Sequence, residues 1–162
     1  MQNLEEIYID NYELVYKYLL ANSHDENISE ELAQETFYRA VKNINKFNEN
    51  SKISTWLCKI AKNLWVDEVK KNSKLKTLDE NSSEIAFEDQ IFADEDKIRL
   101  FKKIQNFNVE MRDVMYLRLS GELNFKEIGE IMGKTETWVR VTFYRGKQRL
   151  KEDNKNERKS RV

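Results

Sequence analysis

Apolar residues recur three and four positions apart along most of this chain, the spacing of one face of a helix. Leu4, Ile7, Tyr8, Tyr12, Val15, Tyr16, Leu19 and Leu20 mark a first helix from Leu4 to Ala21. The polar run Asn22–Glu26 then reads as a loop. A second helix is expected near Asn27, where Asn27 and Glu30 have the spacing of a capping box. Its buried stripe is Ile28, Leu32, Phe37, Val41 and Ile44, which leaves Gln34, Glu35, Tyr38, Arg39 and Lys42 outside. The polar run Asn45–Ser54 reads as another loop. A third helix follows from Ser54 to Asn72, with Trp56, Leu57, Ile60, Ala61, Leu64 and Val69 on its apolar side.

The pattern lapses between Ser73 and Glu95, where Leu78, Ile85, Phe87, Ile91 and Phe92 keep no sustained helical spacing. It returns at Asp96. Ile98, Phe101, Ile104 and Phe107 form one stripe, and Asn108 can cap a further helix with Met111, Val114, Met115 and Leu117 as core. Ser120-Gly121-Glu122 breaks that helix. Asn124 and Glu127 again have capping-box spacing, and they open a short helix that buries Ile128, Ile131 and Met132. Gly129 permits a close helix approach, Gly133 supplies a turn and Thr135 can cap the last helix. That helix buries Val139, Phe143, Gly146 and Leu150 and turns Glu136, Thr137, Trp138, Arg140, Val141, Tyr144, Arg145, Lys147 and Arg149 outward.

These elements predict an all-α fold of two small helical domains joined by a linker, the C-terminal one containing a helix-turn-helix. The expected boundaries are 1–72 and 96–152 for the domains, 73–95 for the acidic linker and 153–162 for a charged tail, with fraying from Lys151 onward. The absence of proline and the presence of only four glycines in 162 residues fit a helical chain with few tight turns.

Charge changes the picture more than composition does. The net charge is only −1, yet it is strongly segregated. Residues 1–38 carry −8, residues 39–76 carry +7, residues 77–96 carry −8 and residues 97–162 carry +8. Two basic blocks separated by an acidic one point to two contacts with a polyanion. In the first block, Lys52, Lys59, Lys62, Lys70 and Lys71 are interleaved with Trp56 and Trp65. Lysines on phosphates beside rings that stack on bases suit single-stranded nucleic acid. The plainer reading makes both tryptophans core residues and the outer face of the 27–44 helix solvated surface. In the second block, a helix-turn-helix with a basic outer face suits the DNA major groove.

Other chemistries lack their residues. There is no glycine-rich phosphate loop, no Cys/His cluster with metal spacing and no glycine-flanked serine nucleophile. The sequence therefore predicts no enzyme, no catalytic residue, no cofactor and no metal site. Cys58 is the only cysteine and reads as a packing residue, which suits a reducing cytoplasm. His24, the only histidine, reads as a surface residue of a polar loop. No run of about 18 apolar residues suggests a membrane span, and the acidic start Met1-Gln2-Asn3-Leu4-Glu5-Glu6 lacks an apolar signal core.

Two stretches carry a family resemblance. Ile28-Ser29-Glu30-Glu31-Leu32-Ala33-Gln34-Glu35-Thr36-Phe37-Tyr38-Arg39-Ala40-Val41-Lys42, with Ser54-Thr55-Trp56-Leu57-Cys58-Lys59-Ile60-Ala61-Lys62-Asn63-Leu64-Trp65-Val66-Asp67, resembles region 2 of bacterial sigma factors. Met111-Arg112-Asp113-Val114-Met115-Tyr116-Leu117-Arg118 through Leu150 resembles region 4. Their pairing across a short linker is similar to the extracytoplasmic-function (ECF) group. The chain departs from the usual pattern at Phe107-Asn108, where Leu-Pro is common, at Glu31 for Asp, and at Thr137-Trp138-Val139 for Gly-Thr-Val.

The resemblance implies roles. Glu31, Gln34, Glu35 and Arg39 would dock on the β′ clamp helices of core RNA polymerase, and region 4 would meet the β flap. Asn48, Asn50, Ser51, Lys52, Ser54, Trp56, Lys59, Lys62 and Asn63 would bind the −10 promoter element, with the Asn48–Ser54 loop capturing an extruded base. Thr137, Trp138, Arg140, Val141, Tyr144, Arg145 and Lys147 would bind the −35 element. The acidic linker would run through the polymerase's RNA path. An anti-sigma factor, often membrane-anchored, is the implied regulator; no small-molecule substrate is implied, and the implied location is the cytoplasm. The competing reading is a stand-alone helix-turn-helix regulator, which has no need of the polar helix at 27–44.

Overall fold

The computed structural model describes residues 3–72, 95–120 and 123–160. Every regular element among them is helical: α1 Leu4–Ser23, α2 Glu26–Lys42, a 3₁₀ turn Ile44–Lys46, α3 Ile53–Asn72, α4 Glu95–Ile104, α5 Val109–Ser120, α6 Phe125–Met132 and α7 Glu136–Ser160. The chain divides into two compact units, Met1–Ala93 and Asp94–Val162. The expected linker, but for Glu95, lies outside the described residues, as do Gly121 and Glu122 of the expected break.

In the first unit α1, α2 and α3 each pack on the other two. Asn3 caps α1, accepting from the Glu5 N–H while Glu6 reaches back to the Asn3 N–H. The core is Val15, Tyr18, Leu19 and Leu20 of α1, Ala33 and Phe37 of α2, and Leu57, Cys58, Ala61 and Leu64 of α3. Each large side chain so buried contributes about 1.5–3 kcal/mol.

Several expectations change here. The connection after α1 is shorter than Asn22–Glu26. His24 takes a left-handed conformation (φ 56°), its N–H bonds to Leu20 O at 2.9 Å, and its Nε2 lies 3.0 Å from Ala21 O. The single histidine therefore closes a helix. That places Asp25, not Asn27, at the start of α2, where it accepts from the Ile28 N–H at 3.0 Å. The inner face of α2 is also rotated from the expected stripe. Ser29, Ala33, Thr36, Phe37 and Ala40 are buried, while Ile28 and Leu32 are half-buried and Val41 is exposed. Small residues let α2 approach its neighbours closely. The Ser29 and Thr36 hydroxyls stay satisfied by donating to Asp25 O and Leu32 O, both at 2.7 Å. On α1, Tyr18 takes the core place expected for Tyr8, Tyr12 and Tyr16. Those three form a ring ladder against α2, with Tyr8 and Phe37 centroids 5.0 Å apart. On α3, Trp56 and Ile60 are half-buried and Val69 is exposed, while Thr55 and Cys58 enter the core.

In the second unit α7 packs on α4, α5 and α6. Phe101, Ile104, Phe107, Met111, Val114, Met115, Leu117, Leu123, Ile128 and Ile131 fill its interior, with Val139, Phe143 and Leu150 from α7. Asn108 caps α5 by accepting from the Met111 N–H at 2.9 Å. The Asn124–Glu127 capping box forms in both directions, at 2.8 and 3.1 Å. Gly133 ends α6 with φ 67°, a conformation that favours glycine. Gly129 sits against the turn that follows: a Cβ there would lie 2.6 Å from Lys134 O. Helix α7 continues to Ser160, beyond the expected fraying point. The Lys103 ammonium holds that extension through Asn154 and through Glu157 at 3.1 Å. In such a polar sequence this tether was not visible in the hydrophobic pattern.

Candidate nucleic-acid and partner interfaces

The outer face of α2 follows from what its inner face buries. Glu31, Gln34, Tyr38, Arg39 and Lys42 are exposed and Glu35 is half-buried. Arg39 Nε donates to Glu35 Oε1 at 3.0 Å, and the Lys42 ammonium lies 5.1 Å from the Tyr38 ring centroid. Both are one-turn pairs, which fix side-chain direction more than they stabilise the fold.

Next to this face is a cavity of about 280 Å³ lined by Arg39, Asn43, Lys46, Trp56, Ile60 and Asn63. Local structure builds it. Asn43 closes α2 through its N–H and its amide, both donated to Arg39 O, at 3.0 and 2.9 Å. The 3₁₀ turn then brings Lys46 round, and Phe47 packs on Trp56 with centroids 5.2 Å apart. The cavity therefore combines an aromatic wall, an aliphatic floor at Ile60, two amides and two cations. Such a site suits a flat, polar-edged group carrying a phosphate.

Of the residues expected around the −10 element, the structure brings Trp56 and Asn63 to this cavity. Asn48, Asn50 and Lys52 are exposed and Ser51 half-buried on the loop before α3, while Ser54 is half-buried in the first turn of α3. Lys59 is exposed and Lys62 half-buried on α3. Asn43 and Lys46 were missed, and Arg39 was expected on the polymerase face alone. The available signal is Asn43 directly after α2, with Lys46 at the end of the short turn that follows. Trp65 lies nine residues beyond Trp56, which at 100° per residue puts it on the opposite side of α3.

In the second unit, Thr135 Oγ1 accepts from the Trp138 N–H at 3.1 Å and starts α7. Thr137, Arg140, Val141, Tyr144, Arg145 and Lys147 are exposed on one broad face. Arg140 Nη2 donates to Glu136 Oε1 at 3.0 Å, and its guanidinium carbon is 5.6 Å from the Phe125 centroid. Lys147 lies 5.8 Å from the Tyr144 ring. Trp138 differs from this set. It is half-buried, Lys134 lies 5.1 Å from its ring, and Lys134 is 3.7 Å from Glu110 at the start of α5. It sits on the flank of the face away from Arg140.

Burial pushes the Cys58 thiol up to about 12, so it stays protonated, as a packing residue should. No group of His, Cys, Asp and Glu among the described residues could hold a metal ion. No described helix is long and apolar enough to cross a membrane.

Residues 7–75 match the family model for sigma-70 region 2. The chain is 30% identical over 152 residues to the ECF RNA polymerase sigma factor SigM of Bacillus subtilis (strain 168), covering 91% of this chain and 93% of that protein. It is 34% identical over 164 residues to SigW of the same organism, again an ECF sigma factor, covering 92% and 86%. Its fold matches the sigma factor RpoE of Bartonella quintana, solved in complex with the anti-sigma factor NepR. That match has a TM-score of 0.69 at 14% identity and covers 91% of this chain and 94% of that one. Helical units of this build, a region 2 match and relatives alike over nearly their whole length lead to one assignment: this chain belongs to the ECF RNA polymerase sigma factors.

Proposed function

We propose that this chain directs RNA polymerase to a set of promoters by binding core polymerase through its first unit and reading DNA with both. The observation that carries this reading is the cavity on α2 and α3. An aromatic wall at Trp56, the Asn63 amide and the Arg39 and Lys46 cations sit beside an exposed polar helix face. Glu31, Gln34, Glu35 and Arg39 meet the polymerase β′ clamp helices, and the second unit meets the β flap. The Asn48–Ser54 loop captures an extruded base of the −10 strand, with Trp56 and Asn63 of the neighbouring cavity against it. Lys59 and Lys62 hold the neighbouring strand phosphates. Opening needs no hydrolysis, because binding energy for extruded bases offsets local unpairing.

Helix α7 reads the −35 element as duplex. Thr137, Arg140 and Val141 lie toward base edges, and Tyr144, Arg145 and Lys147 toward phosphate. Trp138, covered by Lys134, contributes at the margin of that surface. The protein acts in the cytoplasm under an anti-sigma factor. This division of labour assigns 1–72 and 96–152 as the two working domains, and no step in it requires a catalytic residue or a cofactor. The test is transcription in vitro with core polymerase on a library of promoters. Specific initiation that needs both an upstream and a downstream element is the expected result. DNA binding that is unaffected by core polymerase, without initiation, would return the chain to the stand-alone regulator.

A further inference from the structure

On the outer face of helix α7, the direction of the Arg140 side chain is set before any DNA arrives. Arg140 is held at two points. Glu136, one turn earlier, accepts from Nη2 at 3.0 Å. The face of Phe125, the first residue of α6, lies 5.6 Å from its guanidinium carbon. Phe125 is itself fixed, by the Phe143 and Tyr144 rings at 5.4 and 6.3 Å and by the Arg118 guanidinium at 4.8 Å. Arg118 is anchored in turn by donating to Leu123 O at 2.9 Å.

The Glu136 and Arg140 side chains are about half exposed, at 50% and 49%. An ion pair so open contributes little to folding. Its effect lies in geometry. A guanidinium has five donors in a planar fork, so one donor given to Glu136 leaves the rest of the fork to reach outward. A free arginine on this surface would be drawn to the nearest phosphate. The Glu136 carboxylate opposes that, because it repels phosphate and keeps its partner over the groove.

We propose that Glu136 is a positioning residue for promoter specificity. It holds the Arg140 guanidinium, against Phe125, in the plane needed to donate to O6 and N7 of a guanine in the upstream duplex. This rests on the reading of α7 as the helix that enters that duplex. It adds a residue outside the DNA-contacting set and names the base class read.

The test uses the full chain with core polymerase and a duplex library randomised across the upstream element. Wild type should show one position with a strong guanine preference. Arg140→Ala should remove that preference by roughly 10- to 100-fold, the size of one lost bidentate base contact. Glu136→Ala should weaken preference at the same position, and the double variant should match Arg140→Ala. Glu136→Gln, which keeps an acceptor, should restore part of it, with thermal melting unchanged throughout. If Glu136→Ala changes preference at a different position, Glu136 reads a base itself and the proposal fails. It also fails if Glu136→Ala lowers affinity evenly for all sequences or leaves the profile as wild type. If Arg140→Ala alters no position, the reading of α7 as a base-contacting helix fails with it.

Discussion

Arg39 donates to Glu35 at 3.0 Å while its side chain forms one wall of the cavity that Trp56 closes. One residue thus joins the polar face of α2 to the basic pocket beside α3. The two surfaces proposed for polymerase and for melted DNA are continuous, and a substitution can affect either through the other.

The first prediction separates them. Gln34→Ala with Glu35→Ala should weaken capture by core polymerase roughly 10-fold or more, the scale of losing interface contacts worth over 1 kcal/mol. Arg39→Ala should weaken capture less and reduce open-complex formation more. The check is a pull-down with core polymerase beside a strand-opening assay. Equal capture of the double variant and wild type would remove α2 from the polymerase interface.

The outline of both units was legible because helix period, caps and glycine turns are local. Asn108, Asn124, Gly133 and Thr135 all serve as their sequence context suggests. What stayed hidden depends on contacts between elements. Large residues marked the expected face of α2, yet apart from Phe37 its buried positions are the small residues Ser29, Ala33, Thr36 and Ala40. The cavity needed the 3₁₀ turn to bring Asn43 and Lys46 beside Asn63, far along the chain. The pairing of Lys103 with Glu157 joins helices whose sequences alone look solvated.

Gly129 gives a stability prediction. Alanine favours a helix by about 1 kcal/mol over glycine. Here the added carbon would meet the Lys134 carbonyl at 2.6 Å, and a backbone atom cannot swing aside. Gly129→Ala should therefore cost up to about 2 kcal/mol net, the overpacking loss of about 1–3 kcal/mol exceeding the helix gain. A lower urea midpoint for the second unit, with weaker upstream binding, is expected; a raised midpoint would show that the turn yields.

Cys58 sets a pH dependence. Its folded pKa lies at about 12 against an ordinary 9.0. Below the ordinary value both states carry the neutral thiol, and stability is unaffected. Above it the unfolded thiol ionises first, so stability falls by up to about 1.4 kcal/mol per pH unit until the folded value is reached. Cys58→Ala should lack that slope. Urea melts of both proteins at neutral and alkaline pH give the difference, and parallel curves would contradict it.

Arg145 and Lys147 are assigned to phosphate, so their loss should be blind to sequence. Each alanine variant should lower the slope of log affinity against log salt by about 0.9. Preference across the upstream library should keep its shape. A change confined to one base position would move that residue to the base edges.

The cavity yields the most direct test of strand opening. Trp56 packs at a tilt on Phe47 and lines the cavity together with Asn43 and Asn63. Removing the ring should cost the roughly 1–3 kcal/mol of one base–aromatic stack. That loss should fall on opening, since the duplex contacts proposed for α7 lie in the other unit. Trp56→Ala should then bind promoter duplex with core polymerase nearly as wild type but open it poorly, as read by a fluorescent base analogue in the −10 strand. A template already mismatched there should restore initiation, because the unpairing cost has been removed. Trp56→Phe separates stacking from packing, as it retains an aromatic wall and should retain most opening. Asn63→Ala should leave the ring in place and instead relax preference at a single −10 position. If the mismatched template rescues neither Trp56→Ala nor wild type at limiting concentration, the cavity is not where the strand is held.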